Sequence, residues 1–324
     1  MNLKILLTGK NGQVGRELGH YLQRLGEVVA LGHADIDLCD TTTVRQLIRR
    51  LQPQLIVNAA AYTAVDQAET ECDLAHKINA EAPAVLAEEG KKLAAALVHY
   101  STDYVFDGSK DCPYQETDPP SPINAYGKTK LAGEQAIQQI GIPHLILRTS
   151  WVYAVRGKNF LLRILRLASE NEEVRVVNDQ IGAPTWSRAI AAGTAQMLST
   201  AFAMQSETSH LETLGGVYHM TAAGQTTWFG FASAILREGV RALAQSPEVQ
   251  SATGGRPLIA HTIVPISSHD YPTPARRPAN SVLSNDRLLQ TFHLRLPDWR
   301  TQLRLAMQNA DFEDVNRRVR AATF

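Results

Sequence analysis

A glycine pattern at the N-terminus narrows the fold more than any other feature. Gly9-Lys10-Asn11-Gly12-Gln13-Val14-Gly15 follows the apolar run Leu3-Lys4-Ile5-Leu6-Leu7 after a single Thr8. It leads into Val14, Leu18, Tyr21, Leu22 and Leu25 at helical spacing, with Gly26 as the stop. Strand, glycine turn and helix in that order make a tight connection whose backbone can approach a pyrophosphate closely. The unpaired N–H groups and partial positive charge of the helix start then face that anion. On this reading Gly9, Gly12, Gln13, Val14 and Gly15 bind a dinucleotide.

The rest of the first half keeps a strand–helix rhythm. Val28-Val29-Ala30-Leu31 reads as a second strand. Val44, Leu47, Ile48 and Leu51 mark a helix capped by one of Thr41, Thr42 and Thr43 and closed by Pro53. Leu55-Ile56-Val57 is a third strand, 70–92 a long helical region, and Ala94 to Tyr100 a fourth strand. A helix runs from Ser121 to about residue 140, and His144 to Leu147 is a fifth strand. Such alternation implies right-handed crossovers and a doubly wound parallel sheet, hence an α/β, Rossmann-type fold. The continuously apolar strands agree, because a parallel sheet is covered on both faces.

Past residue 150 the rhythm loosens, and 204–215 and 244–260 read as polar surface loops. The expected organisation is a dinucleotide-binding domain over 1–150. Residues 151–324 form a smaller, irregular substrate-binding lobe, with some segments returning to the first domain.

Charge and cysteine usage exclude several classes. Thirty-two basic residues balance thirty-two acidic ones, so nothing favours bulk nucleic-acid binding. Arg317, Arg318 and Arg320 read as a solvated terminal helix. Cys39, Cys72 and Cys112 are too few and too scattered for a disulfide framework, which fits a reducing cytoplasm. No apolar stretch reaches the ~18 residues of a membrane span. Ten histidines show no ligand-like spacing, so no metal is expected.

Tyr126-Gly127-Lys128-Thr129-Lys130 places a phenol and an ammonium four residues apart, on one helix face. Tyr126 is the only tyrosine with a lysine at that spacing. A free phenol ionises near pH ~10, and a neighbouring ammonium lowers that value. Tyr126 is therefore the candidate proton donor and Lys130 the residue that tunes it. Thr102, in Tyr100-Ser101-Thr102-Asp103 at the end of strand four, can orient a carbonyl by hydrogen bonding. At the end of strand two, Leu31-Gly32-His33 lacks the acid that NAD-selective sites use for the ribose hydroxyls. NADPH is therefore expected to be accepted alongside NADH. Asp37 is a candidate for the adenine end, or simply a helix-entry acid.

Together these residues resemble the extended short-chain dehydrogenase/reductase family. Further blocks carry the likeness: Val57 to Asp66, His99 to Phe106, Asn124 to Glu134, Arg148 to Tyr153, Asn178 to Thr185 and Tyr271 to Pro278. The resemblance implies NAD(P)H-dependent reduction of the C4 keto group of a dTDP-linked sugar, dTDP-4-dehydro-L-rhamnose. It implies Thr102, Tyr126 and Lys130 as catalytic residues, with Tyr126 and Lys130 also touching the cofactor. It places Asp37 and Leu38 at the adenine, and Ala61, Tyr62 and Thr63 at the nicotinamide-side ribose. Asp103 and Trp151 would contact the sugar.

Some members dimerise around magnesium held by glutamates. Glu17 matches the first ligand, but Arg188 and Arg300 stand where the others are expected. Arginine cannot ligate a cation, so no metal is expected, and the chain is read as a monomer or homodimer. Dehydratases of the family carry a second acid after the strand-four threonine; here Asp103 is followed by Tyr104, while another nucleotide-sugar epimerase or reductase stays as an alternative that the other blocks do not favour. The regulatory subunit of methionine adenosyltransferase, a non-catalytic protein, is also similar; the intact triad and Trp151 favour an enzyme.

Overall fold

The computed structural model describes residues 3–202, 209–242 and 246–308. Arg317, Arg318 and Arg320 lie outside the described residues. Five strands alternate with helices in the first half: β1 (Leu3–Thr8), β2 (Gly26–Leu31), β3 (Leu55–Asn58), β4 (Ala96–Thr102) and β5 (His144–Thr149). A sixth strand, Gly216–His219, returns from the second half and pairs with β5. Every pairing in this sheet is parallel, and β1 lies between β2 and β3.

The period of two along each strand divides the apolar side chains between two cores. Ile5, Leu7, Leu55, Val57, Val98, Leu145 and Leu147 point into one. Leu6, Ile56, Leu97 and Ile146 point into the other, against Val44, Ile48, Leu86 and Ile137 from helices. Both faces are therefore covered, as the unbroken apolar strands require.

Helix α1 (Gln13–Tyr21) follows the glycine turn, and α2 (Thr41–Leu51) follows β2. The predicted threonine cap of α2 is corrected: Asp40 accepts from the Thr43 N–H at 3.1 Å, a carboxylate being the better acceptor at a positive helix end. The long helix predicted over 70–92 runs as Cys72–His76, a π-helical turn Lys77–Glu81 and Ala82–Lys92. The loops predicted at 204–215 and 244–260 also contain helices, Ser209–Leu214 and Pro247–Thr253; Leu211 and Val249 are buried beneath them. Residues 203–208 and 243–245 lie outside the description.

Candidate active site

A cleft of about 740 Å³ opens at the C-terminal ends of β1 to β5, where doubly wound sheets bind ligands. Gly9, Gly12, Gln13, Val14, Asp37, Leu38, Ala61, Thr63, Tyr126 and Lys130 all line it. Its anion end is built by the glycine turn. Gly9 has φ +78°, and a Cβ there would stand 2.6 Å from the Ala59 carbonyl carbon. Gly12 is the N-cap of α1 and has no side chain to satisfy the first N–H groups. No acidic residue occupies that first turn, so the free N–H groups and helix dipole suit a pyrophosphate. The cleft and its donors fit a dinucleotide.

Gly15 does not line this cleft. A Cβ on it would lie 2.0 Å from the Gly9 carbonyl oxygen, so its part is to let α1 pack against the turn. Tyr62 also differs from expectation: its phenol turns away and donates to Glu71 Oε2 at 2.7 Å, while its N–H donates to Asn79.

Tyr126 and Lys130 lie on the helix Ala125–Ile140. Asn124 caps that helix, accepting from the Gly127 N–H at 2.8 Å, and its amide nitrogen donates to the Arg276 carbonyl at 2.8 Å. The Thr102 hydroxyl is the polar group near the Tyr126 phenol that favours its ionisation. Thr102 Oγ1 donates to Asp103 Oδ1 at 3.0 Å, and the Tyr104 N–H donates to Thr102 Oγ1. Tyr126 and Lys130 line the cleft, and Thr102 closes β4 just after Tyr100 and Ser101, which line it too.

The expectation that Lys130 lowers the Tyr126 phenol is corrected. Burial pushes that phenol up to about 12, the Thr102 hydrogen bond opposing. Lys130 Nζ instead donates to the Tyr100 carbonyl at 2.6 Å and meets His99 Nε2 at 3.2 Å.

Asp103 is likewise placed differently from a sugar contact. The turn Asp103–Val105 tucks its carboxylate inside, where Ser150 Oγ donates to Oδ2 at 2.9 Å. Burial pushes it up to about 6, and the hydroxyls of Ser281, Ser150 and Thr102 pull it down.

Residues 3–312 match the family described as RmlD substrate binding domain. This chain belongs to that family. A dTDP-4-dehydrorhamnose reductase of Burkholderia thailandensis is 50% identical over 307 residues, covering 95% of this chain and 99% of its own. A solved dTDP-4-dehydrorhamnose reductase from Clostridium acetobutylicum is 33% identical with a TM-score of 0.83, covering 95% of this chain and 99% of that one. Another, from Bacillus anthracis in complex with NADP, is 32% identical with a TM-score of 0.79 over 94% of this chain and 98% of its own.

This RmlD-family chain has a second cleft, of about 760 Å³, lined by Asp66, Gln180, Trp228, Tyr271, Arg276 and Arg277 among others. Trp151 sits between the two: Val152 beside it lines the first cleft, and its ring stacks on Trp228 at 3.5 Å and 6°. Its φ of +46° is left-handed, a costly conformation for a bulky residue. The stacking and the close pass over Gly182 hold it there.

Several site groups escaped the sequence reading. An acid does stand near the end of β2: Asp35 Oδ2 accepts from the Gly32 N–H at 2.7 Å and pairs with Lys10 at 2.7 Å. It lies three residues past the usual position, so only the turn reveals it. Trp228 heads a helix with no local motif to mark it. Glu17, read as a stranded metal-ligand match, is held by Arg188 at 2.9 Å; Arg300 lies over the Trp299 ring.

Proposed function

We propose that this chain reduces the C4 keto group of dTDP-4-dehydro-L-rhamnose to give dTDP-L-rhamnose, using NADPH or NADH. The observation that carries the reading is that Tyr126 and Lys130 line a dinucleotide-sized cleft built on the glycine turn, with Thr102 at the adjoining end of β4. The names of its relatives agree with it.

The glycine turn and α1 would hold the pyrophosphate, Asp37 and Leu38 the adenine side, and Ala61 and Thr63 the ribose near Tyr126. When bound, the reduced nicotinamide supplies the hydride. Tyr126 donates its proton to the C4 oxygen as negative charge develops there, and Thr102 orients that oxygen. A phenol near 12 stays protonated throughout the neutral range, which suits a donor. Lys130 borders the ribose, its Nζ held by the Tyr100 carbonyl. Trp151 and Trp228 wall the sugar, and the second cleft takes the nucleotide.

The division at residue 150 is part of the same proposal, as is a monomer or homodimer without metal. Three unpaired cysteines support a reducing, cytoplasmic setting.

The direct test is oxidation of NADPH with the keto-sugar generated in situ. Tyr126→Phe should lower kcat at least about a hundredfold while KM stays within a few fold. Near-normal turnover by that variant would remove Tyr126 from the chemistry.

A further inference from the structure

A chain of four polar side chains runs under the cleft floor and ends on Lys130. Thr8 Oγ1 donates to Asn58 Oδ1 at 2.6 Å, Asn58 Nδ2 meets His99 Nδ1 at 3.0 Å, and His99 Nε2 meets Lys130 Nζ at 3.2 Å. None of the four is more than 2% exposed, so their contacts must be satisfied by one another.

The polarity of the chain is set at its far end. The Ala60 N–H can only donate, and it points at Asn58 Oδ1 at 3.3 Å. Asn58 therefore turns its NH₂ to His99, and Nδ1 accepts. A neutral imidazole then carries its proton on Nε2, facing Lys130 Nζ. An ammonium has no lone pair to receive that proton; an amine has. Only uncharged Lys130 satisfies every contact, and it can still donate to the Tyr100 carbonyl. With an ammonium the polarity reverses: Nζ donates to Nε2, the imidazole proton sits on Nδ1, and Asn58 turns over. The Ala60 N–H then loses its acceptor.

We propose that His99 and Asn58 are positioning residues that couple the protonation of Lys130 to the tautomer of His99. When Lys130 loses its charge, the proton in the Nζ–Nε2 bond passes to Nε2, the one on Nδ1 is given up as Asn58 turns over, and one proton in all is released to bulk water. The imidazole keeps one proton throughout. His99 stays neutral because burial, then the Lys130 and His144 charges, press its pKa well below 6.5. Burial brings Lys130 down to about 8, against the opposing Glu134. Glu134 lies one turn along the same helix and is already gripped by Arg148 of β5, at 3.0 and 2.6 Å. Tyr126 is the other ionisable group that the helix brings to Lys130.

The link to turnover, through Lys130 beside the cofactor cleft, rests on the catalytic reading above, but the coupling itself can be seen without turnover.

The test is a pH titration of the full-length protein labelled with ¹⁵N-histidine, followed by two-bond ¹H–¹⁵N NMR. The His99 signals are assigned by their loss in His99→Gln. The expected result is a neutral His99 that changes from the Nδ1–H to the Nε2–H tautomer as pH rises through about 8. Asn58→Asp, an acceptor only, should hold Nδ1–H and move the change to higher pH. Should that variant not fold, the parent titration decides alone. In turnover, His99→Gln should displace the Lys130 ionisation in kcat/KM, which a purely structural loss would not do. A single tautomer across the range, an imidazolium at neutral pH or an undisplaced profile overturns the coupling and leaves the reductase reading standing. A switching tautomer without turnover does the reverse.

Discussion

Asp103 shows how a buried residue can govern a surface reaction. Its carboxylate is the acceptor that orients the Thr102 hydroxyl, and it stands at about 6 because burial outweighs the hydroxyls that donate to it. As pH falls through that value the carboxyl gains a proton, and a group that only accepted becomes partly a donor. Thr102 then loses its fixed orientation, so kcat/KM should fall on the acid side near pH 6. Ser150 stabilises the charged form, and deleting it favours the neutral one. Ser150→Ala is therefore expected to move the acid limb to higher pH, read from the pH profile of kcat/KM. An unmoved limb would assign it to another group. The sequence displayed Asp103 next to Thr102 but not its burial. Its inward turn depends on Ser150 and Ser281, remote in the chain.

At the scale of elements, two contacts set where the Ala125–Ile140 helix lies and how the helices beside it on that face of the sheet are held. A Cβ on Gly127 would stand 2.1 Å from the Tyr104 carbonyl oxygen, so the helix start must retreat in Gly127→Ala. Tyr126 would move with it. A misplacement of about 1 Å costs on the order of a hundredfold in rate, so kcat should drop by that order although no triad side chain changes. On the same face of the sheet, Glu89 of the neighbouring helix Ala82–Lys92 lies among Arg45 and Arg49 of α2 and Lys92 of its own helix, within 2.9 Å of each. The Arg49 guanidinium, aided by Lys92 and Arg45, holds its carboxyl well below the usual range. A depressed carboxylate adds stability above its unfolded pKa of ~4.3, and this is lost as pH falls toward the folded value. Glu89→Gln should thus lower the unfolding free energy at pH 7 by about 2 kcal/mol in urea titrations, with the gap narrowing below about pH 4. These elements were legible to different degrees. The strands announced themselves as apolar runs bounded by glycine and proline. The Ser209–Leu214 and Pro247–Thr253 helices did not, because each buries only one or two apolar residues among polar ones. The strand Gly216–His219 is too short to show a period, and its pairing with β5 is settled by tertiary contact.

Across the whole molecule, the block Tyr271 to Pro278 was legible as a motif but not as a clamp. Arg277 reaches 211 positions back along the chain to grip Asp66, Nη1 to Oδ1 at 3.0 Å and Nη2 to Oδ2 at 2.8 Å. The Ala275 N–H adds a third bond to the same carboxylate. Asp66, Arg276 and Arg277 all line the second cleft, and Arg276 is tied through its carbonyl to Asn124, the cap of the Tyr126 helix. A fork-to-fork pair of this kind fixes direction as well as distance. It thus joins the wall of the second cleft to the loop after β3 and to the Tyr126 helix, while the glycine turn lines the first cleft. Removing the carboxylate should release the wall and leave the pyrophosphate cradle alone. Asp66→Ala is expected to raise KM for the dTDP-sugar about tenfold, equivalent to ~1.4 kcal/mol of lost binding, with NADPH affinity by fluorescence titration unchanged. A parallel loss of both affinities would mean that the clamp supports the fold at large rather than the substrate wall.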